Sequence, residues 1–562
     1  MIELKISKLK SQKQFLNIEI CIPCNNESTI LYTIPNWRPG RYETQNYAKN
    51  IRNFNVTNPQ NQHLSFQKIT KNTWQINVDN AEFVNISYEY YAWQYDAGGS
   101  VVDDNLLYIN FINSVGYFEH LQQADYKLLL PYTHDDKIAT SLNYSIENNQ
   151  VVLSAQNFHE LADSPIIISP NIALASYQVQ NTTFNIWLYS EKNDVNPELL
   201  IPKFELFTKQ QFAVFNEFPF QEYHFLVLLL PYFYYHGVEH QSSTVMVMGP
   251  SMDFHKPAFE LEVLGLASHE LYHAWNALSI RPKELSPYNF NHETYFNTGF
   301  VIEGVTTFMG DYLLAQSKVI DLQTYIAELN GILTKEIDQE GWKNLSLTDA
   351  SMELWLDGYT KGVQHRKVSI YQRGCLIAFI TDILLKQKGA SLNALMQEFW
   401  NHFGKTKIGY TANDYFDLVE KLGNAEIRQL ISKLVFERVN LIPILDLILP
   451  SIGLKLHTFE PNLLQSWGIK TFIQAGKTIV DQTTPHTLAG EQLCIGDEIF
   501  AINNYLVEAN LEKHLFNKEI AVFQIIRNKK LLNFELKPNA DLAILNHEFV
   551  IENEGLFSKY VG

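Results

Sequence analysis

Residues 258–278 read AFELEVLGLASHELYHAWNAL. Apolar side chains recur at helical spacing, which predicts one helix from Ala258 to Leu278. Residues four apart share a helix face, so His269 and His273 point the same way, one turn apart. That spacing suits two imidazole nitrogens on one metal ion. Glu270 follows the first histidine and would sit beside such an ion without binding it. There a carboxylate can take a proton from water activated by zinc. Leu261, Leu264, Leu266 and Ala267 supply apolar packing nearby. The plainer reading is a partly buried helix whose two histidines bind nothing. Short motifs recur by chance, so a third ligand decides between the two.

Three carboxylates are candidates for that ligand. Glu284 and Glu293 fall in KELSPYNFNHETYF, which reads as loop. Glu303 falls in GFVIEGVTTFMGDYLLA, which reads as a second helix starting near Val301. Thirty residues separate Glu303 from His273, enough for the chain to loop out and return antiparallel. A ligand on a helix is also held better than one on a loop. Asp311 lies two turns further along the same face, where it either orients a ligand histidine or is a solvated or capping carboxylate. Tyr371, in SIYQRG, starts another helix and can aim a phenol at an oxyanion. With 29 tyrosines in the chain, composition singles out none of them. Glu239, in HGVEHQSSTVMVMG, either grips the α-amino group of a peptide or pairs with His240 at the surface. Arg281, in IRPKE, either contacts substrate or braces the loop after the metal helix.

The whole chain bounds these readings. Its 562 residues, 46% of them hydrophobic, exceed one core, so a multidomain α+β protein is expected. Sixty-one acidic against 43 basic side chains give a net charge of −18. No broad field exists to neutralise phosphates, so no nucleic-acid partner is expected. The segment best suited to a membrane, FLVLLLPYFYY (225–235), has 11 residues with Pro231 inside. A spanning helix needs roughly 20, so it reads as a buried strand and a turn, with no membrane partner. The lysine-punctuated N-terminus does not read as a secretory signal. Cys21, Cys24, Cys375 and Cys494 form no disulfide framework, and the CIPC pair lacks a second pair for a four-cysteine zinc site. Cytoplasmic placement is the default. Residues 1–170 alternate as strands and predict a β-sandwich-like domain. Residues 171–450 carry the helical stretches, including 300–317 and 370–387. From 451 to 562 strands return in a small, mainly β domain.

Taken together, SHELYHAWNALSIRP, TGFVIEGVTTFMGDYLL, GVEHQSSTV, IYQRGCLIAFITDILL and PNWRPGRYETQNYAKNIRNF (35–54) resemble the glycyl aminopeptidase family, M61. These are zinc peptidases carrying a PDZ domain. The resemblance implies a thermolysin-like, mainly helical catalytic domain between the two β regions. It implies one Zn2+ per chain, held by His269, His273 and Glu303, with Glu270 as general base. Tyr371 would stabilise the oxyanion, and Glu239 would receive the amine of a peptide with a free N-terminus. Apart from the resemblance, Gly237 and Arg281 are taken as candidate substrate contacts, and Asn276 and Asp311 as candidate supports behind the ligands. Small N-terminal residues, Gly or Ala, would be favoured. Three features depart from the family: His236 replaces a glycine and would narrow the amine end or shift specificity, Arg373 stands where lysine is usual, and Ala277–Leu278 follow Asn276 where a basic residue is often found. AGEQLCIGDEIFAINNYLV (489–507) and the loop SWGIKTF (466–472) resemble a PDZ domain that takes a peptide C-terminus or serves as a lid. The expected function is therefore a zinc aminopeptidase. The alternatives are an endopeptidase with the same metal site and a non-catalytic PDZ-type peptide-binding protein.

Overall fold

The structure, a computed structural model, describes residues 1–24, 27–78, 81–192, 194–507, 511–515 and 519–562. Strand Ile2–Lys8 buries Ile2, Leu4 and Ile6 and turns the residues between them outward, the period-two pattern of a half-buried strand. It sits fourth in a seven-stranded sheet, parallel to Tyr126–Pro131 and antiparallel to Phe15–Pro23. A three-stranded sheet of Thr29–Thr33, Thr73–Asn77 and Phe66–Lys68 puts Tyr32, Trp74 and Ile76 into the same core as Ile18, Ile86 and Tyr88. From this β-rich region a loop near residues 36–45 crosses to the helical region. There Trp37 donates from Nε1 to Asn289 O at 2.7 Å and meets Trp355 edge-on at 5.2 Å.

The middle region opens with a five-stranded mixed sheet in the order Ile172–Val179, Thr182–Ser190, Glu222–Leu229, Ser243–Gly249, Tyr234–His240. Residues 223–229 are all buried, which is why the apolar run there is continuous. Tyr234–His240 is the edge strand, antiparallel to Ser243–Gly249. Its alternation sends Gly237 and Glu239 towards the helix Pro257–Tyr272. His236 and His240 point the other way, to Ala97 N and Arg38.

That helix starts on Pro257, where the missing N–H is harmless, with Glu260 in its first turn favouring the positive end of the dipole. It stops at Tyr272, six residues short of the predicted Leu278. The reason is tertiary. Asn276 is fully buried, and its Nδ2 donates to Val301 O at 2.7 Å and to Thr306 Oγ1 at 3.0 Å. The chain bends to reach them, with Ala277 at φ 117°.

The next element is a π-helical turn, Phe300–Val305, running into the α-helix Thr306–Gln316. Its Gly310 packs on the His269 backbone, and Ser268 Oγ donates to Gly310 O at 2.8 Å. Helix Gln372–Lys386 crosses the π turn where Gly304 meets Gly374. A Cβ on Gly304 would lie 2.5 Å from Gly374 Cα, so the backbones touch. This contact brings Glu303 on one helix and Tyr371 at the head of the other to one cleft.

The C-terminal part contains an antiparallel sheet of Ile469–Gln474, Lys477–Thr483, Glu498–Ile502, Ala521–Arg527 and Lys530–Leu536, with Trp467, Val480, Ile499 and Phe523 in its own core. Flanking it, Leu454–Thr458 pairs with His547–Ile551, and helix Glu554–Val561 follows. These flanking residues pack instead into the helical core, through Leu454, Leu456, Phe549, Phe557 and Tyr560. The molecule is thus multidomain α+β, with a β-rich N-terminal part and a helical middle. Among the described residues, no helix is long and apolar enough to cross a membrane.

Candidate active site

His269, His273 and Glu303 converge. Nε2 of His273 lies 3.1 Å from Nε2 of His269, and Glu303 Oε2 lies 3.5 Å from the former and 3.7 Å from the latter. Ligand atoms about 2.1 Å from one tetrahedral ion would stand about 3.4 Å apart, so the triangle has the size of a zinc site. The donor set is also right, two imidazoles and a carboxylate. Nδ1 of His273 faces Asn276 O at 2.8 Å and so carries the proton of the neutral ring, which leaves the Nε2 lone pair for an ion. The π turn carries Glu303, and such turns recur at functional sites because they re-aim one side chain.

A second buried cluster shares His273. Ligand atoms of Glu239, Glu270 and His273 also lie within 4.8 Å of one another. Burial alone would lower His273, but Glu239, Glu303 and Glu270 together raise it. Burial raises Glu270 well above a normal glutamate, against the pull of His273, and Glu239 and Glu303 add to the rise. Burial would also raise Glu303, yet His273 and His269 draw it down. Three carboxylates around two imidazoles favour a cation, and a divalent metal fits that field.

Gly237 sits where the backbone must approach closely. A Cβ there would lie 2.2 Å from Glu270 Oε1 and 2.8 Å from Leu266. His236 points away, its Nδ1 accepting from Ala97 N at 3.3 Å. The expected narrowing of the amine end by His236 is therefore absent, because strand alternation turns that ring to the opposite face. Crowding at Glu239 comes instead from Gly40. At φ 78° this residue lies in the left-handed region, and a Cβ on it would stand 2.4 Å from Glu239 Oε2. Sequence reasoning left Gly40 without a role, although PNWRPGRY was among the matching stretches.

Tyr371 precedes the helix Gln372–Lys386, half-buried at the cleft. Burial and the nearby Glu303 hold its phenol well above the normal range, so it keeps its proton as a donor. Tyr359 stands beside it, with its hydroxyl accepting from Tyr42 N at 3.1 Å and hydrogen-bonded to Tyr371. No periodic signal marks Tyr359 in its loop. That loop is tied to the small C-terminal sheet by a Lys361–Asp481 ion pair, by His365 Nε2 at 2.9 Å from Thr483 O and by Thr483 N donating to Gln364 Oε1 at 3.1 Å. Arg373 faces away from the cleft, its guanidinium donating to Glu336 at 2.7 Å in a buried pair.

Asn276 links the two ligand helices, with its backbone carbonyl on His273 and its side-chain amide donating to Val301 O. Asn276→Ala is expected to lower the unfolding free energy by about 2 kcal/mol, read from urea melts. The backbone carbonyl on His273 survives in the variant but loses its anchor, so an ion held by His273 and Glu303 is expected to weaken about tenfold, read by chelator competition. Asp311 is not brought to the site. It makes no hydrogen bond with either histidine, and burial with Glu328 nearby pushes its carboxyl up to about 7. Arg281 donates to Leu278 O at 3.1 Å and stacks 4.2 Å from the Tyr288 ring.

Comparison with known proteins adds to this geometry. The Peptidase M61 N-terminal domain model matches residues 3–170, and the M61 glycyl aminopeptidase model matches residues 262–377. Together they span about half of the chain. No curated protein matches. Among solved structures, an aminopeptidase N family protein from Idiomarina loihiensis superposes with a TM-score of 0.92 at 22% identity, covering 100% of both chains. The fold is shared from end to end. An M1 zinc metallopeptidase from Deinococcus radiodurans, bound to a Tyr-Ser-Ala substrate, gives a TM-score of 0.49 at 14% identity, covering 78% of this chain and 93% of that one.

Proposed function

We propose that this chain, a metallopeptidase with two regions matching M61 family models, is a zinc aminopeptidase that removes small N-terminal residues from peptides. The observation that carries the reading is the buried set around His273: a metal-sized triangle with Glu303 and His269, and two further carboxylates, Glu270 and Glu239. One Zn2+ per chain would be held by His269, His273 and Glu303. When bound, zinc supplies Lewis acidity, making water a better nucleophile and polarising the scissile carbonyl.

The chain's own groups do the rest. Glu270 takes the proton of the attacking water and returns it to the leaving amine nitrogen. Tyr371 donates its phenolic O–H to the carbonyl oxygen as negative charge builds there. Glu239, walled by Gly40, accepts the N–H groups of the substrate's α-ammonium. A free amine is thereby fixed beside the base, and cleavage falls at the first peptide bond. Glycine and alanine are the proposed preference, an inference from the M61 match.

The small C-terminal sheet is proposed to be PDZ-like. Among the described residues its edge strand Ile469–Gln474 pairs on one side only, with Lys477–Thr483, which suits addition of a peptide strand.

An alanyl or glycyl peptide and its N-acetylated twin test the reading, each with and without chelator. Acetylation is expected to lower kcat/KM about 100-fold or more, because it removes the charge that a buried carboxylate requires. Equal cleavage of both peptides would make the enzyme an endopeptidase. Cleavage of neither, with peptide still bound, would leave a non-catalytic binding protein.

A further inference from the structure

A cavity of about 290 Å³ lies at the seam between the N-terminal β region and the catalytic region, walled by Arg38, His159, Asp163, His240, Arg281 and Tyr288 among others. It lies close to the amine wall: Pro39 precedes Gly40, and two of its lining residues, Arg38 and Tyr288, stand within electrostatic reach of the Glu239 carboxylate. Its charge does not balance. Arg38, only 2% exposed, has one Nη at 3.1 Å from His240 Nε2 and the other at 3.1 Å from Asn110 Oδ1. His240 in turn faces Asp163 at 3.0 Å, and the second Asp163 oxygen accepts from Gln241 N at 3.0 Å. The one carboxylate in the cavity wall therefore serves Arg38 through His240. Arg281 has no ion-pair partner among the described residues. Its Nη2 reaches only Leu278 O, and its Nε is buried with no acceptor. A buried guanidinium edge without an acceptor is costly, and in a chain of net charge −18 nothing in this wall supplies one.

We propose that this cavity is an anion subsite, in which Arg281 receives a carboxylate of the same peptide whose amine is held at Glu239. The inference rests on the aminopeptidase reading and narrows its substrates. A planar carboxylate matches the guanidinium fork, and Tyr288 holds that fork in place. Two parts of a peptide carry this chemistry, the C-terminus of a short peptide and an acidic side chain.

Two substrate pairs separate them: Ala-Ala-Ala as free acid against its C-terminal amide, and Glu-Ala amide against Gln-Ala amide. Each is measured on the wild type, Arg281→Gln and Arg281→Lys. In the wild type, one pair is expected to favour its carboxylate member about tenfold or more in kcat/KM. That ratio should fall towards one in Arg281→Gln and survive in part in Arg281→Lys. A preference in the first pair identifies the C-terminus, and in the second the side chain. Ratios near one for both pairs in the wild type, or a ratio untouched by Arg281→Gln, overturn the subsite. Failure of the aminopeptidase reading looks different, because the neutral amides then go uncleaved as well.

Discussion

Glu270→Gln is expected to keep its metal and lose about 10³-fold in kcat. The amide has nearly the shape of the carboxylate, so packing against Leu266 and the Gly237 backbone survives. What disappears is the ability to accept a proton. Glu270 is 4% exposed, and its nearest neutral partner, Thr244 Oγ1, stands 3.5 Å away. Among the described residues the two nearby carboxylates have other work in the proposed mechanism, since Glu239 would hold the amine and Glu303 faces the histidines. The check is peptide hydrolysis measured beside metal content in the same sample. Cleavage near the wild-type rate with zinc bound would place the base elsewhere.

Glu303→Ala should abolish turnover by a different route, through the metal itself. Loss of a direct ligand weakens binding by more than the about 10–100-fold that loss of an outer partner costs. Thermal melts provide a readout independent of activity. An ion present at about 1,000 times its Kd contributes about 4 kcal/mol to the folded state. The wild type is therefore expected to melt higher with zinc than after chelation, and Glu303→Ala to melt alike in both. An equal zinc-dependent rise in the variant would move the third ligand off Glu303.

The part of the site that was readable from sequence follows helix geometry. Four-residue spacing put His269 and His273 on one face, and an apolar run around Glu303 made it the best-held candidate for a third ligand. Those signals are local, and they appear in the structure as a triangle of side chains. What was illegible depends on contacts far apart in the chain. The helix ends at Tyr272 because Asn276 reaches the backbone of residues 301 and 302, which no periodicity around residue 276 foretells. Gly40 gains meaning only once its loop lies against Glu239, and Tyr359 only once Tyr42 and Tyr371 surround it. The side on which His236 points was open to reasoning from strand alternation, but the departure from the family's glycine drew attention to bulk instead of direction. Asp311 shares a face with Glu303 two turns on, yet among the described residues no hydrogen bond joins it to either histidine.

The helix that follows Glu303 is fastened by residues almost 250 positions later. Tyr312 Oη donates to Tyr560 O at 3.2 Å, and Gln316 Nε2 donates to Val561 O at 2.7 Å. Asn330, one helix on, clasps the backbone of Phe549 with both ends of its amide, at 3.1 Å and 2.7 Å. Synthesis runs in one direction, so a nascent polypeptide holds His269, His273 and Glu303 long before it holds these fasteners. The small sheet of residues 469–536 emerges in between and has its own core to close on. The helix beyond Glu303 is thus closed only by residues 547–561, so a chain cut before them would carry its candidate ligands on unfastened helices.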